Sequence, residues 1–310
     1  MSREVSQPPA TRVITSVADR RDTILDVIRN AERDICLSLF RCSDAAIFEE
    51  IGRAVKRGVG VNALITSRAK GGQKKLTKLC AALDDTGATI SAYTDAVVKY
   101  HAKYLVADDG PAVVGSCNFT RKCFERTCDA LVVTYDAGVV SGLRALMAAD
   151  RDGLRAPETV TERLVIGPER ARRQLTTIVE QARSSIRLID AKLSDPDLVT
   201  LLNARRAAGL KVEVFGSKNL GGLKSHGKIL LVDDRLAVVG SLALAAISLD
   251  FRREVAITRT SSRADTRGWS ARSSASACRR GMAAVTFCSK YARAVYAASA
   301  SARGSGAPRE

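Results

Sequence analysis

His101-Ala-Lys-Tyr-Leu-Val-Ala-Asp-Asp109 leads into Ala112-Val-Val-Gly-Ser116, and the arrangement returns as His226-Gly-Lys-Ile-Leu-Leu-Val-Asp-Asp234 and Ala237-Val-Val-Gly-Ser241, at an offset of 125. Both copies read H-x-K-x4-D-x6-G-S, and the only 2 histidines of the chain open them. In a strand, residues i and i+2 point to one face, so His101 and Lys103 share a face, as do His226 and Lys228. A repeat built only for packing would preserve its apolar positions. This one also preserves His, Lys, Asp and Ser.

Upstream of each copy the repeat continues at an offset of 151. Ile24, Val27, Ile28 and Ala31 form a helical stripe that Leu175, Ile178, Val179 and Ala182 repeat. Short apolar runs follow, Ile35 to Phe40 and Ile186 to Ile189, and read as strands. The next helices carry Ile47, Phe48 and Ile51 in one half and Leu198, Val199 and Leu202 in the other, and end at Gly58 and Gly209. Strands at Val59 to Ile65 and Leu210 to Phe215 complete a β-α-β-α-β order twice. The first half then holds 26 extra residues, predicted to contain a basic turn (Arg68 to Lys75), a helix around Leu76 to Leu83 and a strand at Thr89 to Tyr93. Downstream, Asp129 and Glu254 each lie 28 positions after the histidine of their own copy. The expected organisation is a flexible N-terminus (1–11), a first lobe (12–158), a homologous second lobe (159–262) and a tail (263–310).

The tail differs in kind. Residues 261–310 contain no Leu or Ile, and Ala and Ser fill 23 of 50 positions, so it cannot build a core like that of the lobes. A helix over Met282 to Tyr296 is its one expected element. The chain has 310 residues and a net charge of +16, which favours an anionic partner. The longest uncharged run, Leu236 to Leu249, is 14 residues, short of the ~18 to 20 that span a bilayer. The N-terminus lacks a signal-peptide core, so a cytoplasmic location, peripheral to membrane at most, is expected. The 8 cysteines contain no C-x-x-C pair and suggest neither a zinc site nor a disulfide framework; most are expected to be buried.

Two lobes related by an approximate two-fold axis would bring both H-x-K strands to one cleft, placing two imidazoles and two ammonium groups together. That set suits a phosphodiester. Lysines neutralise the nonbridging oxygens, one imidazole attacks phosphorus, and the other protonates the leaving oxygen and then activates water. A carboxylate on the far ring nitrogen of each histidine would fix its tautomer, and Asp129 and Glu254 are placed for that role.

The pattern resembles the phospholipase D superfamily, whose signature is a pair of HxKxxxxD motifs followed by G-S-x-N. The resemblance covers residues 12 to 262. It implies two pseudo-symmetric α-β-α lobes with mixed sheets flanked by helices, an active site between them, and a phosphohistidine intermediate with no metal or cofactor. The matching residues are His101, Lys103, Asp108, Ser116 and Asn118 in the first copy and His226, Lys228, Asp233 and Ser241 in the second, with Glu254 matching the later glutamate and Asp129 replacing its counterpart. Ser116, Ser241 and Asn118 are candidate substrate contacts, and Ser116 and Ser241 also suit turns. Asp108 and Asp233 are expected to form structural ion pairs. The second copy has Ala243 where asparagine is expected. The resemblance makes His101 the expected nucleophile and His226 the general acid and base.

The shared motif reports the phosphodiester rather than its substituents. A phospholipid or membrane surface is the favoured partner, with cleavage or transfer of a headgroup. A metal-independent nuclease is the alternative, motivated by the basic loops Arg68 to Lys75 and Lys218 to Lys224, although no aromatic residue is interleaved with them. A weakly active binding protein is the third reading, suggested by Ala243 and the tail. The oligomeric state is left open.

Overall fold

A computed structural model describes residues 11–68, 72–216 and 219–260. The expectations for residues 1–10, for the tail and its helix, and for the centre of the Arg68 to Lys75 turn lie outside the described residues.

The first lobe runs β1 (Thr11–Ile14), α1 (Val17–Arg29), β2 (Asp34–Leu39), α2 (Ala45–Lys56), β3 (Gly60–Thr66), α3 (Gln73–Asp84), β4 (Thr89–Tyr93), β5 (Lys99–Tyr100), β6 (Tyr104–Ala107), β7 (Ala112–Gly115), α4 (Arg121–Glu125), β8 (Thr127–Cys128), β9 (Leu131–Thr134) and α5 (Ala137–Arg151). The second runs β10 (Leu164–Gly167), α6 (Ala171–Glu180), β11 (Ser185–Ile189), α7 (Pro196–Ala207), β12 (Lys211–Phe215), β13 (Asn219–Leu220), β14 (Leu223–Ser225), β15 (Ile229–Val232), β16 (Leu236–Gly240), α8 (Ala246–Asp250) and β17 (Arg252–Thr260). The β-α-β-α-β order therefore opens both lobes. The glycines after α2 and α7 take φ +92° and +93°, a left-handed conformation that costs a Cβ-free residue little. At the other end of α7, the Asp195 side chain accepts from the Leu198 amide, with Pro196 in the first turn where no amide is needed.

The sheet of the first lobe has the order β1-β9-β7-β6-β2-β3-β4, and that of the second β10-β17-β16-β15-β11-β12. Both are mixed: β2 and β11 pair parallel with β3 and β12 on one side and antiparallel with β6 and β15 on the other. Helices α1, α2 and α3 close one face of the first sheet over Ile28, Ile47 and Leu83, and α6 and α7 close the second over Leu175 and Leu202. The remaining faces meet in a shared core. Tyr104, Val114 and Val132 from the first sheet, Val239, Val255 and Ile257 from the second, and Leu143 and Leu146 of α5 form one buried cluster. The lobes are thus joined by hydrophobic burial as well as by chain connection.

Two very short strands cross between the lobes. In the first lobe β5 pairs parallel with β17 of the second, where Lys99 faces Arg252 and Tyr100 faces Arg253. Conversely, β8 of the first lobe pairs parallel with β14 of the second, where Thr127 faces Lys224 and Cys128 faces Ser225. Amides continue both ladders into the motifs: that of His101 donates to the Arg253 carbonyl at 2.9 Å and that of Gly227 to the Cys128 carbonyl at 2.8 Å. Each histidine therefore enters its strand alongside the segment that precedes the other lobe's carboxylate.

Gly227 is where this approach is tightest. A Cβ there would lie 2.4 Å from the Cys128 carbonyl oxygen, well inside van der Waals contact. Gly227→Val is expected to destabilise the protein by about 1–3 kcal/mol through overpacking and to slow turnover by moving His226 away from Asp129. Urea denaturation and steady-state kinetics on the variant check both.

Candidate active site

The crossed strands set the pairing of the two histidines with the two buried acids. Nδ1 of His101 lies 3.1 Å from Oε1 of Glu254 in the second lobe. Nδ1 of His226 lies 3.1 and 3.0 Å from the two carboxylate oxygens of Asp129 in the first. The carboxylate 28 positions downstream of each histidine thus serves the other one. Both acids are fully buried. Asp129 also accepts from the Ser116 hydroxyl at 2.6 Å and the Thr127 hydroxyl at 2.5 Å. Burial opposes its ionisation, but His226 and these hydroxyls hold the carboxyl below its ordinary value. Glu254 behaves alike: burial opposes its charge, and His101 and Lys103 beside it hold it below the usual range.

The lysines follow the same two-fold logic. Lys103 donates to the carbonyl of His101 at 2.5 Å, and Lys228 to that of His226 at 2.5 Å. Lys103 Nζ also lies 3.1 Å from Nδ1 of His101. Burial, then Lys103, push the His101 imidazole well below its ordinary pKa, so it is neutral at physiological pH. Burial also lowers Lys103, to about 7. The expected consequence is a falling kcat/KM above about pH 7, because the protonated ammonium that neutralises an anionic substrate is lost as pH rises through that value. A pH profile flat from 6 to 9 would contradict this role for Lys103.

Two pairs of motif residues have structural partners. The Asp108 carboxylate accepts from the amides of Glu32, Arg33 and Asp34 at 2.8 to 3.0 Å. That of Asp233 accepts from Arg183, Ser184 and Ser185 at 2.7 to 3.1 Å. This corrects the expected ion pairs: each carboxylate ties the turn before β2 or β11 to the end of β6 or β15 through three consecutive amides. The arginine partners belong to the next residues, Asp109 with Arg33 and Asp234 with Arg187. Ser116 and Ser241 are fully buried, and their hydroxyls accept from the amides of Ala130 and Val255 at 3.1 Å each. Asn118 is 9% exposed, and its side-chain oxygen has no partner among the described residues. At Ala243 the amide instead donates to the Ser248 hydroxyl at 3.0 Å.

The sequence reading missed the groups contributed by the ends of β2 and β11. The Phe40 ring is 4.4 Å from that of His101, and Arg41 lies over Phe40 at 5.1 Å. The 151 offset pairs Arg41 with Lys192, so a basic residue at the same point of both repeats was the available signal.

A cleft of about 850 Å3 opens beside His226. Phe40, Phe48, Leu76 and Leu79 line it, together with the exposed Lys75, Lys78, Lys122 and Lys224, and Asn118 and His226 lie in the same wall system. Leu76 and Leu79 belong to α3, so the insertion particular to the first lobe supplies one wall. Among the described residues no helix is long and apolar enough to cross a membrane.

Residues 24–151 match the family described as cardiolipin synthase, phospholipase D-like domain. Over that segment the chain is similar to the phospholipase D superfamily. Within that superfamily it is similar to cardiolipin synthase A of Pseudomonas aeruginosa, 29% identical over 143 residues, which is 44% of this chain and 29% of that protein. The matched stretch is thus less than a third of the length of this curated relative. The fold is similar to that of phosphatidylserine synthase from Haemophilus influenzae, with a TM-score of 0.60, 13% identity and coverage of 81% of this chain and 82% of that one. It is also similar to polyphosphate kinase from Porphyromonas gingivalis, with a TM-score of 0.65, 16% identity and coverage of 83% and 48%. The fold shared with these two structures thus extends past the matched segment.

Proposed function

We propose that the protein is a phosphodiesterase of the phospholipase D type that cleaves or transfers a phospholipid headgroup through a phosphohistidine on His101. In the first step Nε2 of His101 forms a bond to phosphorus, the bond from phosphorus to the leaving oxygen breaks, and that oxygen takes a proton from His226. In the second, an alcohol or water gives its proton to His226 and its oxygen attacks phosphorus, releasing His101. Lys103 and Lys228 neutralise the nonbridging oxygens, and Asn118 donates to one of them. Glu254 and Asp129 hold the two rings in orientation. The neutral state of His101 suits a nucleophile.

The observation that carries the lipid reading is the cleft beside His226. Its apolar walls suit acyl chains and its lysines suit an anionic headgroup. The likeness to a cardiolipin synthase over the first lobe supports the same reading. The lysines on their own also suit a nucleic-acid backbone, and the experiment separates the two. The protein is incubated with phosphatidylglycerol or phosphatidylcholine vesicles, and separately with single- and double-stranded DNA and RNA. Released headgroup or a transferred lipid is the expected result. Cleavage of nucleic acid with intact lipid would transfer the assignment to a nuclease, and turnover of neither would leave a binding protein.

A further inference from the structure

We propose that Cys123, Asp129 and His226 form a binding site for a thiophilic divalent cation, zinc above all, and that its occupation switches the enzyme off. One ligating atom from each of the three lies within 4.8 Å of the others, and they are the single such group among the described residues. Tetrahedral zinc, with bonds of ~2.0–2.3 Å, sets its ligands about 3.5 Å apart. The imidazole and carboxylate are already 3.0 Å apart, so closure needs a shift of the Cys123 side chain of roughly 1 Å.

The surroundings suit a soft cation. Thiolate and carboxylate supply two negative charges against the two positive charges of the metal. Asp129 is oriented by Ser116 and Thr127, the kind of outer support that metal-ligating carboxylates have. Cys123, Thr127 and His226 all line the cleft, which provides an entry path and a fourth position for water. Lys103 and Lys228 oppose a cation here, so only a metal with strong thiolate and imidazole bonds is retained, and magnesium is excluded by its preference for oxygen ligands. The other half of the active site lacks the soft ligand. The 125 offset places Ser248 at the position of Cys123, and the triad of Ser248, Glu254 and His101 offers a hydroxyl instead of a thiol.

On binding, the Cys123 thiol gives its proton to water and His226 commits a ring nitrogen to the metal. A coordinated imidazole cannot shuttle a proton, and Asp129 no longer orients it. The inhibition rests on the proposed role of His226, whereas the metal site does not.

The full chain, stripped with EDTA and desalted, is titrated with Co2+ and followed by absorbance. A thiolate-to-cobalt charge-transfer band is expected in the native protein, removed by Zn2+ and absent in Cys123→Ser. In the native protein Zn2+ should also protect Cys123 from alkylation by N-ethylmaleimide, read at its peptide by mass spectrometry. Relative to its own metal-free rate, Cys123→Ser should need at least ~10-fold more Zn2+ for half-inhibition, and Mg2+ should inhibit neither protein. Absence of both the band and the protection in native protein overturns the site. Both signals without inhibition of an active enzyme overturn the switch alone. Because the band and the protection need no turnover, failure of the phosphodiesterase reading would be seen separately.

Discussion

His101→Ala and His226→Ala should each lower phosphodiester turnover by at least ~10²-fold, the lower end for loss of an acid–base group. The two replacements should differ in what accumulates. Without His101 there is no nucleophile, so acid quenching after reaction with a labelled phosphodiester should trap no protein-bound phosphate. Without His226 the second step lacks its base, so any adduct that forms on His101 should persist and be recovered. The double variant should be little worse than the weaker single, because groups that act as a unit are not additive. Protein-bound phosphate surviving in His101→Ala and lost in His226→Ala would exchange the two roles, and full turnover in the double variant would remove both histidines from the mechanism.

The largest effect on stability is expected from Arg253→Leu. Arg253 is 2% exposed. It donates to Asp150 at 2.7 Å, to Glu169 at 2.5 and 2.8 Å and to the Gly167 carbonyl at 2.7 Å, joining the end of α5 to the end of β10 and to β17. Burial raises the Asp150 carboxyl to about 7 even with this partner, whose attraction acts in the opposite direction. Removing the guanidinium leaves a buried carboxylate uncompensated, which costs about 3–5 kcal/mol. The cost should depend on pH. In the variant the folded-state pKa of Asp150 rises further above its unfolded value, so the folded state binds more protons and stability falls as pH rises through that pKa. Urea denaturation should therefore show a larger deficit at pH 8 than at pH 5.5, and an equal deficit at both would show that Asp150 is not the group left unpaired.

Much of this was legible in the residues. The offsets of 151 and 125 gave two lobes, the glycines that cap α2 and α7 stood at equivalent places, and strand β4 was read at its observed bounds. Periodicity works there because each element is long enough to show one face. It fails for β5 and β8, two residues each, which carry no pattern and yet decide which acid meets which histidine. Equal spacing of Asp129 and Glu254 from the two histidines leaves open which acid meets which ring; the distances pair them across lobes. The aspartates of the motif were misread for a related reason. Spacing shows that a carboxylate recurs, but whether it accepts from an arginine or from three backbone amides depends on a φ of +46° at Asp108 and +53° at Asp233, which place each carboxylate beneath the preceding turn. The cleft was hidden because α3 is amphipathic in the ordinary way, and only its placement shows that some of its leucines border open space.

The exchange of acids between lobes has a genealogical consequence. A chain formed by doubling a shorter one normally leaves two copies free to diverge, since either can be damaged while the other works. Here neither half owns a complete histidine and acid pair. A change at Asp129 is felt by His226 and one at Glu254 by His101, so each copy inherits the other's constraints, and the duplication, once crossed in this way, no longer provides a spare.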